Sequence, residues 1–204
     1  HAGISVGEDG ATHQCNEDIA LMRTIPGMVV INPSDDVEAR AAVKAAYEYV
    51  GPVYMRFGRL AVPVINDETT YKFEIGKGVE LRPGKDITII ATGLPVSESL
   101  EAAKFLAEDG IDAQVINIHT IKPLDEELVV KAAQATGRVF TVEEHSIIGG
   151  LGSAVMECLA EKNPVKVTRI GVRDTFGESG PAKDLLHKYE LDAEGIYKQI
   201  KAAL

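Results

Sequence analysis

Residues 27–59 read GMVVINPSDDVEARAAVKAAYEYVGPVYMRFGR, and this stretch predicts the fold class. Residues 27–32 form a short β-branched run that is typical of a buried strand. Apolar residues then recur at helical spacing over residues 37–49, until Gly51-Pro52 ends the pattern. Residues 53–57 predict a second strand. A strand, a helix and a strand with short connections favour a parallel pair joined by a right-handed crossover.

The rest of the chain repeats this alternation after an interrupted region. Residues 61–86 carry prolines and glycines that break any regular pattern, with short strands expected near residues 71–74 and 78–81. The later predicted strands cover residues 86–92, 111–117, 138–142 and 165–170, and the predicted helices cover residues 95–109, 124–136, 151–161, 182–189 and 193–203. Such alternation predicts an α/β fold with a doubly wound, mainly parallel sheet.

Residues 143–145, Glu-Glu-His, directly follow the predicted strand 138–142. We expect them to lie in a loop at the carboxyl end of that strand. This position permits a role in a site or an interface, but the residues themselves indicate neither.

The composition excludes several classes of function. The chain has 204 residues, a formal net charge of −10 and a pI near 5.0. This acidic balance argues against nonspecific binding to nucleic acid or to an anionic membrane. No run is long and apolar enough to span a bilayer, and no leader pattern is present. Cys15 and Cys158 match no zinc-binding spacing. We therefore expect a cytoplasmic protein with no nucleic-acid or membrane partner.

The opening stretch, residues 1–28, holds the main candidate site residues, His1, Asp9 and His13, in the sequence HAGISVGEDGATHQCNEDIALMRTIPGM. Glycines among the first ten residues permit tight turns that let a ligand approach the backbone. Two imidazoles and a carboxylate on one short loop can hydrogen-bond a polar substrate and transfer protons. Most polar, glycine-rich loops are only connections, so composition alone leaves a site and a simple loop both open.

Arg59 is the candidate anion-binding residue. It follows the predicted strand 53–57, and ligands of open α/β sheets gather at the carboxyl ends of strands. A guanidinium group binds phosphate in a forked geometry. Arg56 is an equal rival from the residues alone, and either arginine could instead form a surface ion pair that contributes little.

Four segments together resemble the transketolase family. They are DGATHQ at residues 9–14, GPVYMRFGR at residues 51–59, IGGLGSAVMECLAE at residues 148–161 and RDTFGESGP at residues 173–181. More narrowly, the chain resembles the C-terminal subunit of a split transketolase. The resemblance implies part of a pyrimidine-binding-type α/β domain over residues 1–65, a linker over residues 66–85 and a transketolase C-terminal domain over residues 86–204.

The resemblance also implies a chemistry and roles for the candidate residues. Transketolases transfer a two-carbon ketol unit between sugar phosphates with thiamine diphosphate and a divalent metal, Mg²⁺ or Ca²⁺. His13 matches the histidine beside the cofactor's reactive carbon, where it helps transfer a proton. Asp9 matches the residue that recognises the substrate's C2 hydroxyl. His1 and Arg59 match the pair that binds the distal phosphate. Ala2-Gly3 replaces the Asp-Ser of many members, which leaves the acceptor preference open.

The same resemblance implies parts that this chain does not supply. The segment that binds the diphosphate and the metal belongs to the family's N-terminal half, and the groups that hold and activate the aminopyrimidine lie before the position of His1. The sequence also begins inside a motif, which is typical of a fragment. We therefore expect an N-terminal transketolase half or subunit as partner, a second copy in a dimer, and no activity of this chain alone.

Two other functions stay open. A fragment of 1-deoxy-D-xylulose-5-phosphate synthase would share much of the pattern, although Gln14 and Glu17 resemble transketolase more closely. The chain could alternatively be a non-catalytic assembly module, because the C-terminal domain in this family serves mainly packing and dimer contacts.

Overall fold

The computed structural model describes all 204 residues, which form two β-sheets with helices packed around them. The strands are β1 (Val29–Ile31), β2 (Val53–Met55), β3 (Val79–Arg82), β4 (Ile87–Ala91), β5 (Ala113–Asn117), β6 (Thr120–Lys122), β7 (Arg138–Ser146) and β8 (Lys166–Val172). The helices are α1 (Asp18–Thr24), α2 (Asp36–Glu48), α3 (Pro95–Glu108), α4 (Glu126–Thr136), α5 (Leu151–Lys162), α6 (Ala182–Lys188) and α7 (Ala193–Ala203). None of these helices combines the length and the apolar character that a membrane crossing requires.

The larger sheet confirms the predicted α/β fold class. Its strand order is β3-β5-β4-β7-β8, and all neighbours are parallel except β3, which joins one edge antiparallel. Consecutive residues of the central strand β4 face opposite apolar clusters: Ile89 packs in the cluster that contains Leu106 of α3, and Ile90 in the cluster that contains Val129 of α4. Helices therefore cover both faces, which explains why β4 is buried along its whole length.

The smaller sheet contains the predicted βαβ unit and one strand that was not predicted. Strands β1 and β2 are parallel, as expected from residues 27–59. Strand β6 then pairs antiparallel with the other edge of β1, so that Ile31 lies opposite Thr120. Because β6 belongs to the predicted second domain, that domain completes the sheet of the first. The domain boundaries themselves stay a prediction.

The two sheets share an apolar core. Ile121 of β6, Val30 of β1 and Ile90 of β4 belong to one cluster of buried side chains. Ile4, from the opening segment, is also fully buried and joins the cluster around Phe140 on the other face of the larger sheet. The opening segment is therefore held by the core of the second domain as well as by its own turns.

Two local expectations were wrong. Strand β7 runs from Arg138 to Ser146, so residues 143–145 lie in a strand and are buried, not in a loop. Pairing with β4 ends at Val142, but pairing with β8 resumes at Ser146 after an irregularity, so the strand continues over these polar residues. The strand expected near residues 71–74 does not form; in that interrupted region only Val79–Arg82 pairs with the sheet.

Replacing Ile121 by alanine tests whether the two sheets unfold as one unit. The side chain is 1% exposed, so Ile121→Ala should lower the free energy of unfolding by about 2–5 kcal/mol. Urea unfolding followed by both near- and far-UV circular dichroism should show one coincident transition at a lower midpoint. The matched control is Ile148→Ala, at a side chain that is 59% exposed, which should change stability by less than about 0.5 kcal/mol. Two separate transitions would show that β6 does not couple the sheets.

Candidate active site

The opening segment turns back on itself, as its glycines predict. Ile4–Asp9 forms tight 3₁₀ turns, and Gly3 and Gly7 have φ of 91° and 77°, in the left-handed region that favours glycine. The Gly3 N–H donates to the Gln14 carbonyl at 2.5 Å, which closes the segment into a loop.

Three of the four predicted site residues, His1, Asp9 and Arg59, lie on chain segments that contact one another. The guanidinium of Arg59 forms an ion pair with the carboxylate of Asp9. The Ala2 N–H donates to the Phe57 carbonyl at 3.0 Å, which places His1 beside the chain that leads to Arg59. Both partners of the ion pair are nearly half exposed, with side-chain exposures of 46% and 40%. The pair therefore contributes little to stability, and a bound molecule can reach both groups.

His13 lies on the same loop but makes no hydrogen bond to the other three. Its N–H donates to the Gly10 carbonyl at 3.0 Å, and its Nδ1 lies 2.9 Å from the Thr12 hydroxyl. The imidazole is exposed, so Nε2 is accessible from solvent. The structure thus brings Asp9 and Arg59 into contact and leaves His13 at the other end of the loop.

A cleft borders each end of the loop. One, of about 480 Å³, is lined by loop residues that include Thr12 and Asn16 and by Asp174 and Phe176 of the second domain. The other, of about 220 Å³, is lined by Ser5–Glu8, Arg59–Ala61 and Ala182. Loop side chains at both ends can therefore meet a ligand that lies along the surface.

Arg56, the rival candidate, is part of a buried ion pair. Its Nε donates to Asp18 Oδ2 at 2.9 Å, and both side chains are at most 5% exposed. Its Nη2 donates to the Glu144 carbonyl at 3.0 Å and to the Cys15 carbonyl at 3.3 Å. The Tyr54 hydroxyl also donates to Asp18 Oδ2, and burial together with Asp18 raises the pKa of that tyrosine. Arg56 therefore joins elements of the fold, whereas Arg59 faces solvent.

Residues of the second domain hydrogen-bond to the loop. The sequence analysis did not predict these contacts. The Gln14 side chain donates to the Glu178 carbonyl at 2.7 Å, and the Ser179 hydroxyl donates to the Glu8 carbonyl at 2.6 Å. Glu144 Oε2 accepts from the Ser5 N–H at 3.0 Å. The only sequence signal for these contacts was the RDTFGESGP segment, which indicated a family but no contact.

Glu143 is a buried carboxyl on the opposite side of β7. It accepts from the N–H groups of Leu151 and Gly152 at 2.7 and 2.9 Å, so it caps the first turn of α5. A side chain at Gly152 would clash with Thr141 and Arg169, so this glycine permits close packing of α5 against the sheet. Burial raises the pKa of Glu143 to about 7 despite these two hydrogen bonds.

The cofactor that the resemblance implies would need ligands for a diphosphate and a metal ion. No group of three or more histidine, cysteine, aspartate or glutamate side chains is arranged to bind a metal ion. The described side chains therefore offer no such cluster for the metal of the cofactor. The exposed imidazoles and carboxylate of the loop, together with the guanidinium of Arg59, fit a polar, phosphorylated substrate.

Comparison with known families assigns both regions of the chain. The model of the transketolase pyrimidine binding domain matches residues 1–64, and that of the transketolase C-terminal domain matches residues 76–196. The fold and these matches define an α/β protein with a pyrimidine-binding-type region and a transketolase-type C-terminal region. The chain belongs to the transketolase family.

Individual relatives agree with this assignment. The chain is 51% identical over 202 residues to a "Putative transketolase C-terminal section" of Methanocaldococcus jannaschii, covering 98% of this chain and 63% of that protein. It is 47% identical over 196 residues to a 6-deoxy-6-sulfo-D-fructose transketolase subunit of a Clostridium species, covering 96% of this chain and 61% of the subunit. The chain thus spans about three fifths of the length of these relatives.

Other relatives extend the comparison. The chain is 42% identical to 1-deoxy-D-xylulose-5-phosphate synthase 1 of Geobacter sulfurreducens, covering 99% of this chain and 32% of that enzyme. Among solved structures, a split-gene transketolase described as an inactive beta4 tetramer superposes with a TM-score of 0.92 at 48% identity, covering 100% of this chain and 65% of that chain.

The pH dependence of stability tests the state of Glu143. Folded Glu143 keeps its proton up to about pH 7, whereas the unfolded carboxyl loses it near its ordinary value of 4.5. The folded state therefore binds more protons between these values, so the contribution of this group to the free energy of unfolding falls as pH rises through that window. At about 1.4 kcal/mol per pH unit, the loss amounts to roughly 3 kcal/mol.

Urea unfolding at about pH 4.5 and about pH 7.5 measures this effect. Glu143→Gln is neutral at both pH values and should lose the part of the dependence that Glu143 contributes, so its slope should be smaller than that of the wild type. Glu161→Gln, at an exposed glutamate on the same helix that Glu143 caps, should keep the wild-type slope. Equal slopes for wild type and Glu143→Gln would contradict the protonation of Glu143.

Proposed function

We propose that this chain is the C-terminal part of a transketolase, which transfers a two-carbon ketol unit between sugar phosphates together with the polypeptide that carries the N-terminal half. The observation that carries the proposal is the ion pair between Arg59 and Asp9. Asp9 lies on a glycine-bent loop that also carries His1 and His13. An acceptor and an anion-binding group are thus in contact, and proton-transfer groups lie on the same loop, which suits an elongated substrate with a terminal phosphate.

Each residue has a role that suits its chemistry. Thiamine diphosphate, when bound, supplies the carbon nucleophile of this enzyme class. The exposed imidazole of His13 hydrogen-bonds the substrate's hydroxyl and carbonyl oxygens and moves a proton at those atoms. The ionised carboxylate of Asp9 accepts from the C2 hydroxyl. Arg59 leaves its exposed ion pair with Asp9 to bind the distal phosphate, with His1 as the second donor.

The missing cofactor groups define the partner. The family resemblance places the site for the diphosphate and a metal, Mg²⁺ or Ca²⁺, on an N-terminal half or subunit, and the lack of a cluster of acidic, cysteine or histidine ligands on this chain agrees with that division. We propose that the complete enzyme pairs two copies of each part, and that the chain alone is inactive. The tetramer described for the similar split-gene transketolase, which contains only beta subunits and is inactive, agrees with this proposal.

A 1-deoxy-D-xylulose-5-phosphate synthase function is the second candidate, and the 42% identity to such an enzyme over nearly the whole chain favours keeping it. The donor substrate separates the two. The synthase takes its two carbons from pyruvate with loss of CO₂, whereas a transketolase takes them from a ketose phosphate. One similar subunit is named for 6-deoxy-6-sulfo-D-fructose, so several ketose donors belong in the assay.

Alanine replacement in the complete enzyme tests the assigned roles. His13→Ala should lower kcat by about 10²–10⁴-fold, because it removes a positioned proton-transfer group. Asp9→Ala should lower kcat/KM and weaken discrimination between epimers at C2. His187→Ala is the matched control, because its imidazole is 65% exposed on α6 and pairs with Asp192. Wild-type rates for both His13→Ala and Asp9→Ala would remove the loop from the mechanism.

Calorimetry tests the division of the cofactor site. Titration of the isolated chain with thiamine diphosphate and Mg²⁺ should give no measurable heat of binding, because its acidic and imidazole groups are not arranged around a metal. The same titration of the complete enzyme should show saturable binding. Micromolar affinity of the isolated chain would refute the proposed division.

A further inference from the structure

Glu144 lies beneath the loop that carries the proposed site. It belongs to β7, and its side chain is almost completely buried, with 2% of the residue exposed. Oε2 accepts from the Ser5 N–H at 3.0 Å, across 139 positions of sequence. A buried carboxyl is costly, and burial raises the pKa of Glu144 while the nearby Arg56 opposes that rise. The fold therefore keeps a buried carboxyl at this contact although its burial is unfavourable.

The carboxyl of Glu144 occupies the space between two glycines. A Cβ atom added to Gly3 would lie 2.3 Å from Cδ of Glu144, and one added to Gly58 would lie 3.6 Å from Oε1. Gly3 is two residues after His1, and Gly58 immediately precedes Arg59. The carboxyl thus packs against both chain segments that lead to the proposed phosphate-binding pair.

Backbone contacts complete this arrangement. The two segments are joined directly by the hydrogen bond from the Ala2 N–H to the Phe57 carbonyl. Arg56, three residues before Arg59, donates through Nη2 to the main-chain carbonyl of Glu144 at 3.0 Å. The side chain of Glu144 therefore locates one segment and its main chain anchors the other.

We propose that Glu144 is a positioning residue that sets the separation of His1 and Arg59, and so the affinity of the site for the terminal phosphate of the substrate. This inference rests on the proposed function and deepens it. Asp9 and His13 depend on other supports, since Ser179 holds the Glu8 carbonyl and Glu178 holds Gln14. Loss of Glu144 should therefore affect phosphate recognition more than ketol transfer itself.

Two donor substrates, one with and one without a phosphate, separate phosphate recognition from ketol transfer in the complete enzyme. D-xylulose 5-phosphate and D-xylulose differ only in the phosphate, so the ratio of their kcat/KM values reports its recognition. Glu144→Ala should raise KM for the phosphorylated donor by about tenfold, equivalent to ~1.4 kcal/mol, and change kcat/KM for D-xylulose by less than about twofold. Glu144→Gln keeps an acceptor oxygen and nearly the same volume, so it should restore the wild-type ratio.

The neighbouring residue provides the control. Glu143 lies in the same strand, is equally buried and contacts α5 instead of the loop, so Glu143→Ala should affect both donors alike. In an Arg59→Ala background, Glu144→Ala should cause little further loss with the phosphorylated donor, because the two act on one interaction. If Glu144→Ala does not assemble, Glu144→Asp, which shortens the side chain by one methylene, should show a smaller change in the same ratio.

The outcomes are distinguishable. An equal loss with both donors, or a full additional loss in the Arg59→Ala background, would overturn the positioning role and leave the proposed function intact. Failure of the wild-type enzyme to use either donor would overturn the proposed function and this inference together. A selective loss with the phosphorylated donor that Glu144→Gln reverses would support it.

Discussion

The buried ion pair between Arg56 and Asp18 is the interaction on which the rest of this structure depends. It joins the end of β2 to the start of α1, and the same guanidinium reaches the carbonyls of Cys15 and Glu144. Three parts of the chain that are far apart in sequence therefore meet at one group. Since both charges are withdrawn from water, removing either partner would leave the other uncompensated, at a cost of about 3–5 kcal/mol. The loop before α1 is placed relative to both sheets by this pair.

The second domain does more than pack against the first. It supplies β6 to the smaller sheet, and it contacts the loop through Glu144, Glu178 and Ser179. The fully buried Ile4 adds an apolar anchor within the core of the larger sheet. Our proposals for substrate binding therefore place the candidate groups on one domain and much of their support on the other. A rigid support of this kind limits the movement of exposed side chains that must meet a substrate.

Local patterns predicted the regular elements well where propensity and burial agree. The βαβ unit of residues 27–59 and the alternating elements after residue 86 follow from apolar periodicity, with ends that shift by a few residues. The misses occur where distant pairing overrides local preference. Thr120–Lys122 becomes a strand because it pairs with the open edge of β1. Strand β7 continues through Glu143, Glu144 and His145 because its pairing with β8 resumes at Ser146, beyond the point where pairing with β4 ends. Buried carboxylates in a central strand have no signal in a single sequence.

The amino-acid sequence by itself determined the class of fold, the family and the set of candidate residues, because these depend on residue types and their spacing along the chain. The residue types alone left Arg56 and Arg59 as equal rivals, and only the family resemblance favoured Arg59. Only the tertiary structure decided between a buried guanidinium bound to Asp18 and an exposed one beside Asp9. Asp9 and Arg59 are separated by 50 positions, and Ser5 and Glu144 by 139, so no local pattern could pair them. Such contacts arise when the sheets and their shared core bring distant segments together, because burial and hydrogen bonding act through space and not along the chain.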